Sequence, residues 1–226
     1  MGWIFLIGLA AAGVALVLFV LLTDGRYFGK QLMYWVYDRF GPAVFSARSE
    51  VEQWRSLAES IGLQGNERVL DVGTAAGDLP LSIASMPTFQ GQMVGIDWSP
   101  RMMERAQEEA KRRGLADRVQ FRVVDVRQAL PFAAGEFDVI FCFGLLETLP
   151  TPEAVLGELR RILKGGGVMA LSLYRGWAAG NVSLDREWYE RHLGMLGLAE
   201  LKVIPFRGHH DVVIAQFHQQ DGGDAG

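Results

Sequence analysis

The residues with the clearest chemical potential lie in ERVLDVGTAAGDLPLSIA, where an apolar run ends in a turn of small residues and a helical pattern follows. Gly73, Ala75 and Gly77 keep that turn free of bulk, so a ligand can reach the backbone. The helix start beyond it offers unpaired N–H groups to an anion. Asp97 closes the next apolar run in VGIDWS, placed to accept both hydroxyls of a ribose, and Asp125 closes the one after that in VVDV. In an open α/β sheet, successive strand ends fall in one crevice, so Asp71, Asp97 and Asp125 should converge. Structural roles compete with ligand roles at several positions. Asp71 can fix its own turn through backbone N–H groups. Asp78 has the position of a helix N-cap, Trp98 could be core, and of Met102 and Met103, which begin a helix, one reads as a packing residue rather than a ligand contact.

These side chains need a scaffold, and the pattern around them supplies one. After a polar helix at Val51–Ile61, short apolar runs alternate with helical periodicity. The strands expected are Arg68–Val72, Met93–Asp97, Gln120–Asp125, Phe137–Phe143, Val168–Leu173, Leu201–Pro205 and Val212–Phe217. Helices are expected near Leu79–Met86, Pro100–Arg113, Pro152–Leu163 and Leu184–Leu196. Near-continuous apolar strands such as VIFCF suit a parallel sheet covered on both faces. The short link PFRGHH permits a hairpin but no parallel crossover, so the final strand should run antiparallel. The fold class is therefore α/β: a doubly wound, mostly parallel seven-stranded sheet with an antiparallel last strand, preceded by one transmembrane helix.

That helix is read from Trp3–Leu22, where every residue is apolar or glycine. As a helix rising about 1.5 Å per residue, the run is long enough to cross a hydrocarbon core. No basic residue precedes it and TDGRYFGK lacks a small-x-small cleavage site, both of which argue against a removed signal peptide. Arg26, Lys30, Arg39 and Arg48 follow it, so the positive-inside tendency places the body of the chain in the cytoplasm, on a single-pass anchor. The stretch Tyr27–Phe45 mixes aromatic and basic residues. It suits the headgroup layer or a helix packed over the domain as a lid. The resulting division is 1–25 anchor, 26–62 interfacial or lid helices, 63–219 ligand-binding domain and 220–226 a disordered tail.

Composition sets further bounds on the 226 residues. Lys plus Arg number 22 against 26 Asp plus Glu, a net charge of -4 that argues against nucleic acid as a partner. A single cysteine, Cys142, rules out an internal disulfide and a thiolate cluster, and no metal site is expected. A dinucleotide-binding fingerprint needs glycine at the first, third and sixth positions of the turn. Counting from Gly73, the third is Ala75 and the sixth is Asp78, whose carboxylate would repel a pyrophosphate.

Four motifs, VLDVGTAAGD, GIDWSPRMMERA, FRVVDVRQALPFAAGEFDVIFCFGLLETLP and LRRILKGGGVMAL, stand in order over Glu67–Leu173. In these the sequence resembles the class I S-adenosylmethionine-dependent methyltransferases, especially the branch of ubiquinone and menaquinone methyltransferases. The resemblance implies S-adenosylmethionine as cofactor. It puts Asp71, Gly73, Ala75 and Gly77 around the methionine moiety, Asp97 on the ribose and Trp98 beside the adenine. Asp125 would take the adenine amino group, the Val126 N–H a ring nitrogen, and Phe143 and Gly144 the floor near the sulfonium. Ala75 departs from the family, which more often has glycine there. Glu147 falls where the family often has an acidic residue with no fixed catalytic task.

Methyl transfer from a sulfonium is an in-line displacement for which positioning suffices and no general base is compulsory. Should the acceptor need one, His192, His209 and His210 are the candidates, with Tyr174 as a positioner. The aromatic, membrane-adjoining segment Tyr27–Ile61 is the expected lid. The expected partners are therefore the lipid bilayer and a small lipophilic acceptor, a quinone precursor or isoprenoid-like phenol before a phospholipid amine. The rival reading is a catalytically silent subunit of a membrane complex that kept the fold, with a membrane protein as its partner.

Overall fold

A computed structural model describes residues 3, 7, 8, 11–13, 15, 35, 37–41, 51–174, 184–207 and 210–217. The elements run α1 (Val51–Ser60), β1 (Arg68–Val72), α2 (Asp78–Ala84), β2 (Gln92–Asp97), α3 (Pro100–Arg112), β3 (Val119–Val123) and β4 (Phe137–Cys142). They continue with a short 3₁₀ turn (Leu146–Thr148), α4 (Pro152–Ile162), β5 (Leu163–Tyr174), α5 (Arg186–Met195), β6 (Leu198–Arg207) and β7 (His210–Phe217). Residues 35 and 37–41, upstream of α1, are helical as well. Most of Trp3–Leu22, and the tail 220–226, lie outside the described residues. Among those described, no helix is long and apolar enough to cross a membrane.

The seven strands form one sheet in the order β3-β2-β1-β4-β5-β7-β6. Strands β1 to β5 are mutually parallel, while β7 pairs antiparallel with both β5 and β6. From β1 the chain winds outward through β2 and β3, then returns to the other side of β1 with β4. The order reverses between β1 and β4, and there the helices leave opposite faces and a crevice opens at the carboxyl ends of the strands.

Each face of the sheet is covered, as the buried strands require. On one side α1, α2 and α3 pack Trp54, Leu57, Leu81, Ile83, Met102 and Met103 against Val69, Met93 and Phe141. On the other, α4 and α5 bring Leu156, Leu159, Tyr189 and Leu193 onto Leu70, Ile96, Ile140 and Leu171. In α3 the buried Met102, Met103, Ala106 and Ala110 form one helical stripe. The helix starts where Ser99 accepts the Met102 N–H in its side chain (3.2 Å) and Pro100 takes the first turn, and it ends on Lys111 and Arg112.

Three sequence expectations are corrected. Strand β3 stops at Val123, so Asp125 stands in the following loop rather than on the strand. Asp78 is the first residue of α2 and not its cap. The cap position is Gly77, at φ 82, and the Asp78 carboxylate instead accepts the Trp54 Nε1–H at 2.9 Å. Strand β5 begins at Leu163, five residues before the predicted start, because Leu163 already pairs with Phe137 and an irregular register carries the chain through Lys164–Gly167.

Candidate cofactor site

The β1 to α2 turn is built by its glycines and its hydrogen bonds. Gly73 (φ 77) and Gly77 (φ 82) take left-handed backbone, and a Cβ on Gly77 would fall 2.6 Å from the Phe121 ring. The Gly73 and Thr74 N–H groups both donate to the Ile96 carbonyl (2.9 and 3.0 Å), stapling the turn to β2. Ala75 is the one non-glycine residue described with positive φ, at 47. The departure from glycine is thus felt as backbone strain more than as lost room. Its N–H points at Asp97 Oδ2 (3.2 Å).

Asp71 and Asp97 lie side by side at the ends of β1 and β2, 3% and 4% exposed. Burial pushes Asp71 up to about 7, with the charges of Asp97 and Asp78 adding to it. The Thr74 hydroxyl pulls the other way without closing a hydrogen bond, its Oγ1 being enclosed and unpartnered. Burial also raises Asp97, against the donors that hold it: the Ser99 N–H on Oδ1 (2.9 Å), and the Ala75 N–H and Tyr37 hydroxyl on Oδ2. A pair of buried acids whose charge is disfavoured by burial suits a positively charged ligand.

The remaining predicted residues gather around this pair. Trp98 is half-buried, and Tyr37 covers it with ring centroids 5.7 Å apart. Val126 is buried beyond the end of β3. Asp125 is half-buried and engaged: Arg127 grips its two oxygens at 2.8 and 2.7 Å and holds it below the usual carboxylate range. An adenine amino group there would share that carboxylate with a guanidinium. Gly144 (φ 64) is exposed, with open space where a Cβ would stand, and its N–H donates to Ser172 Oγ (2.8 Å). Phe143 joins an aromatic wall with Trp54 (5.3 Å) and Phe206 (5.8 Å), and Trp54 and Phe206 stand 5.1 Å apart.

Several members of this assembly are not marked in the sequence. Tyr37 could be seen only as one of many aromatic residues before the domain, and Trp54 as a residue of an amphipathic helix. Phe206 and Ser172 gave no signal, since strands distant in sequence deliver them. Ser172 also donates to Glu147 Oε1 (2.8 Å), leaving Glu147 Oε2 enclosed without a partner and the carboxyl raised by burial. The candidate bases separate. His192 sits in the last turn of α5, bound to the Trp188 carbonyl and stacked on that indole, next to the start of β6 at the opposite edge of the sheet. His210 is in register with Tyr174 at the site edge, whereas His209 lies outside the described residues.

A profile of the methyltransferase domain family matches residues 63–205. The chain belongs to the methyltransferase domain family, the S-adenosylmethionine-dependent enzymes whose fold and motifs it carries. It is 36% identical over 121 residues to the ubiquinone/menaquinone biosynthesis C-methyltransferase UbiE of Geobacter sp. (strain M21), covering 53% of this chain and 51% of that protein. To the demethylmenaquinone methyltransferase of Thermus thermophilus it is 34% identical over 148 residues, 64% and 65% of the two chains. It thus spans about half the length of the first of these relatives and rather more of the second. Among solved structures, a SAM dependent methyltransferase from Aquifex aeolicus superposes with a TM-score of 0.64 at 23% identity, over 73% of this chain and 89% of that one.

The residues fit the cofactor. The buried Asp97 supplies the acceptor that a ribose diol needs, the turn is cleared for backbone approach, and the acidic pair suits a cation. Bound there, S-adenosylmethionine supplies an electrophilic methyl group on a sulfonium.

Proposed function

We propose that the chain is a membrane-anchored methyltransferase acting on a small lipophilic acceptor, a quinone precursor or similar phenol. The observation that carries the acceptor half of this reading is the wall of Trp54, Phe143 and Phe206 beside Gly144. Flat apolar faces of that kind suit a flat apolar ring. Two relatives named for quinone methylation support the same class. The apolar run Trp3–Leu22 is the proposed anchor, with the domain cytoplasmic and the acceptor entering from the bilayer.

In this reading the chain's residues act by positioning. The aromatic wall orients the acceptor ring, and Ser172, itself held by Glu147, fixes the Gly144 N–H that edges the floor. Closing these apolar faces excludes water, and holding acceptor and methyl in line is where most of the rate gain for the transfer lies. His210, set opposite Tyr174 across β5 and β7, is within the same strand ends should a hydroxyl of the acceptor need to lose a proton.

The test uses the full-length chain in native membranes with methyl-labelled S-adenosylmethionine, followed by fractionation of the extracted lipids. Label in the prenylated quinone fraction supports the proposal. Label in phospholipid headgroups would transfer the reading to a lipid amine. A folded chain that binds no cofactor would favour the silent subunit of a membrane complex instead, and one that binds it but labels no lipid would move the acceptor out of the lipid class.

A further inference from the structure

The residues upstream of the domain reach into the cofactor site itself. Tyr37 donates its hydroxyl to Asp97 Oδ2 (3.1 Å) and lays its ring against Trp98. The next residue, Asp38, is held on both oxygens: Ser99 Oγ donates to Oδ1 (2.5 Å) and Arg101 Nε pairs with Oδ2 (3.2 Å). Four contacts thus seat this short helical segment on the end of β2 and the start of α3. Two of them use the residues assigned to the ribose and adenine.

A carboxylate oxygen offers about two lone-pair sites. Asp97 Oδ2 already accepts two donors, the Ala75 N–H at 3.2 Å and the Tyr37 hydroxyl at 3.1 Å. Oδ1 accepts the Ser99 N–H. A ribose diol that engages both oxygens therefore needs the position that Tyr37 holds. The Ala75 and Ser99 N–H groups belong to the turn and to the start of α3 and cannot leave without unmaking them. The tyrosine hydroxyl, on a segment outside the sheet, can.

We propose that Tyr37 is a latch that competes with the cofactor ribose for Asp97, so that cofactor binding releases the Tyr37 hydroxyl while Asp38 keeps the segment tethered through Ser99 and Arg101. The inference rests on the cofactor reading of the site. Because residues 35–41 lie between the proposed anchor and the domain, cofactor occupancy becomes a signal to the membrane-proximal part of the chain.

The experiment measures S-adenosylmethionine and S-adenosylhomocysteine binding by calorimetry on the full chain, wild type, Tyr37→Phe and Asp38→Asn. Hydrogen exchange of residues 35–41 is followed with and without ligand, and thermal unfolding checks that each variant is folded. Tyr37→Phe should bind about ten-fold or more tightly, the scale of one hydrogen bond to a charged group. Asp38→Asn should shift the same way by less. Exchange at residues 35–41 in the wild type should rise on binding. Wild-type binding with Tyr37→Phe equal or weaker, or with exchange at 35–41 unchanged or slowed, would overturn the latch and leave the cofactor site standing. No binding by any folded form would overturn both.

Discussion

Asp71 carries a cost that depends on pH. Its carboxyl titrates near 7 in the folded chain, against the ordinary 3.8, mainly because burial disfavours the charge. Between those values the unfolded chain has already lost the proton that the folded chain keeps. Stability therefore falls as pH rises through that window, by up to about 1.4 kcal/mol per pH unit, and levels off above it. Asp71→Asn removes this titration, so its stability relative to the wild type should climb from pH 4 to 7 in urea unfolding and then stay constant. Ala75, at φ 47, is strained where glycine would not be. Ala75→Gly should stabilise the fold by about 0.5–1 kcal/mol, read from the urea midpoint. At this scale the sequence was informative wherever a residue's task depends on its own strand. The placing of Asp71 and Asp97 at the ends of β1 and β2, and of Gly73 and Gly77 in the turn after β1, was legible from apolar runs ending in small or acidic residues. Tyr37 was not, because its meaning is a contact with a carboxylate 60 positions away.

Among the elements, the helices and central strands were readable to within a residue or two, since period and caps coincide there, as with Ser99, Pro100 and the buried stripe of α3. Strand β5 was misread at its start because KGGG reads as a turn. The glycines serve instead to bring β5 up against β4: a Cβ on Gly167 would lie 2.8 Å from the Asp138 carbonyl and 2.9 Å from that of Lys164. Gly167→Ala should therefore cost about 1–3 kcal/mol, measured by the shift in thermal midpoint, with cofactor affinity little changed because the lesion lies toward the amino end of β5, away from the crevice at the carboxyl ends of the strands. Helix α1 illustrates the opposite limit. Its amphipathic pattern announced a packed helix, but not that Trp54 would tie to Asp78 and so join the cofactor turn to the aromatic wall.

Seen whole, the molecule divides along the sheet: the ends of the strands from β3 to β4 carry the proposed cofactor residues, while α1, the residue after β4 and β6 supply the aromatic wall. Saturating S-adenosylmethionine at a hundred times its dissociation constant should stabilise the folded state by about 2.7 kcal/mol, raising the thermal midpoint by roughly 5–10 °C. Asp97→Ala should abolish that rise, measured against the variant's own unliganded midpoint, which falls because the Ala75 and Ser99 N–H groups lose their acceptor. The α/β class and the antiparallel last strand were legible from the alternation of apolar runs and the short PFRGHH link. The place of that strand was not, because neighbours in a sheet are chosen by three-dimensional packing. Strand β7 sits inside the sheet between β5 and β6, both of which precede it in the chain. During synthesis, then, the cofactor half can assemble while β5 and β6 still wait for the strand that joins them. Until residues 210–217 emerge, Phe206 has no strand to hold it against Phe143. On the proposed reading, a nascent or truncated chain holds the methyl donor before it can discriminate among acceptors, and the last strand serves as the proof of completion.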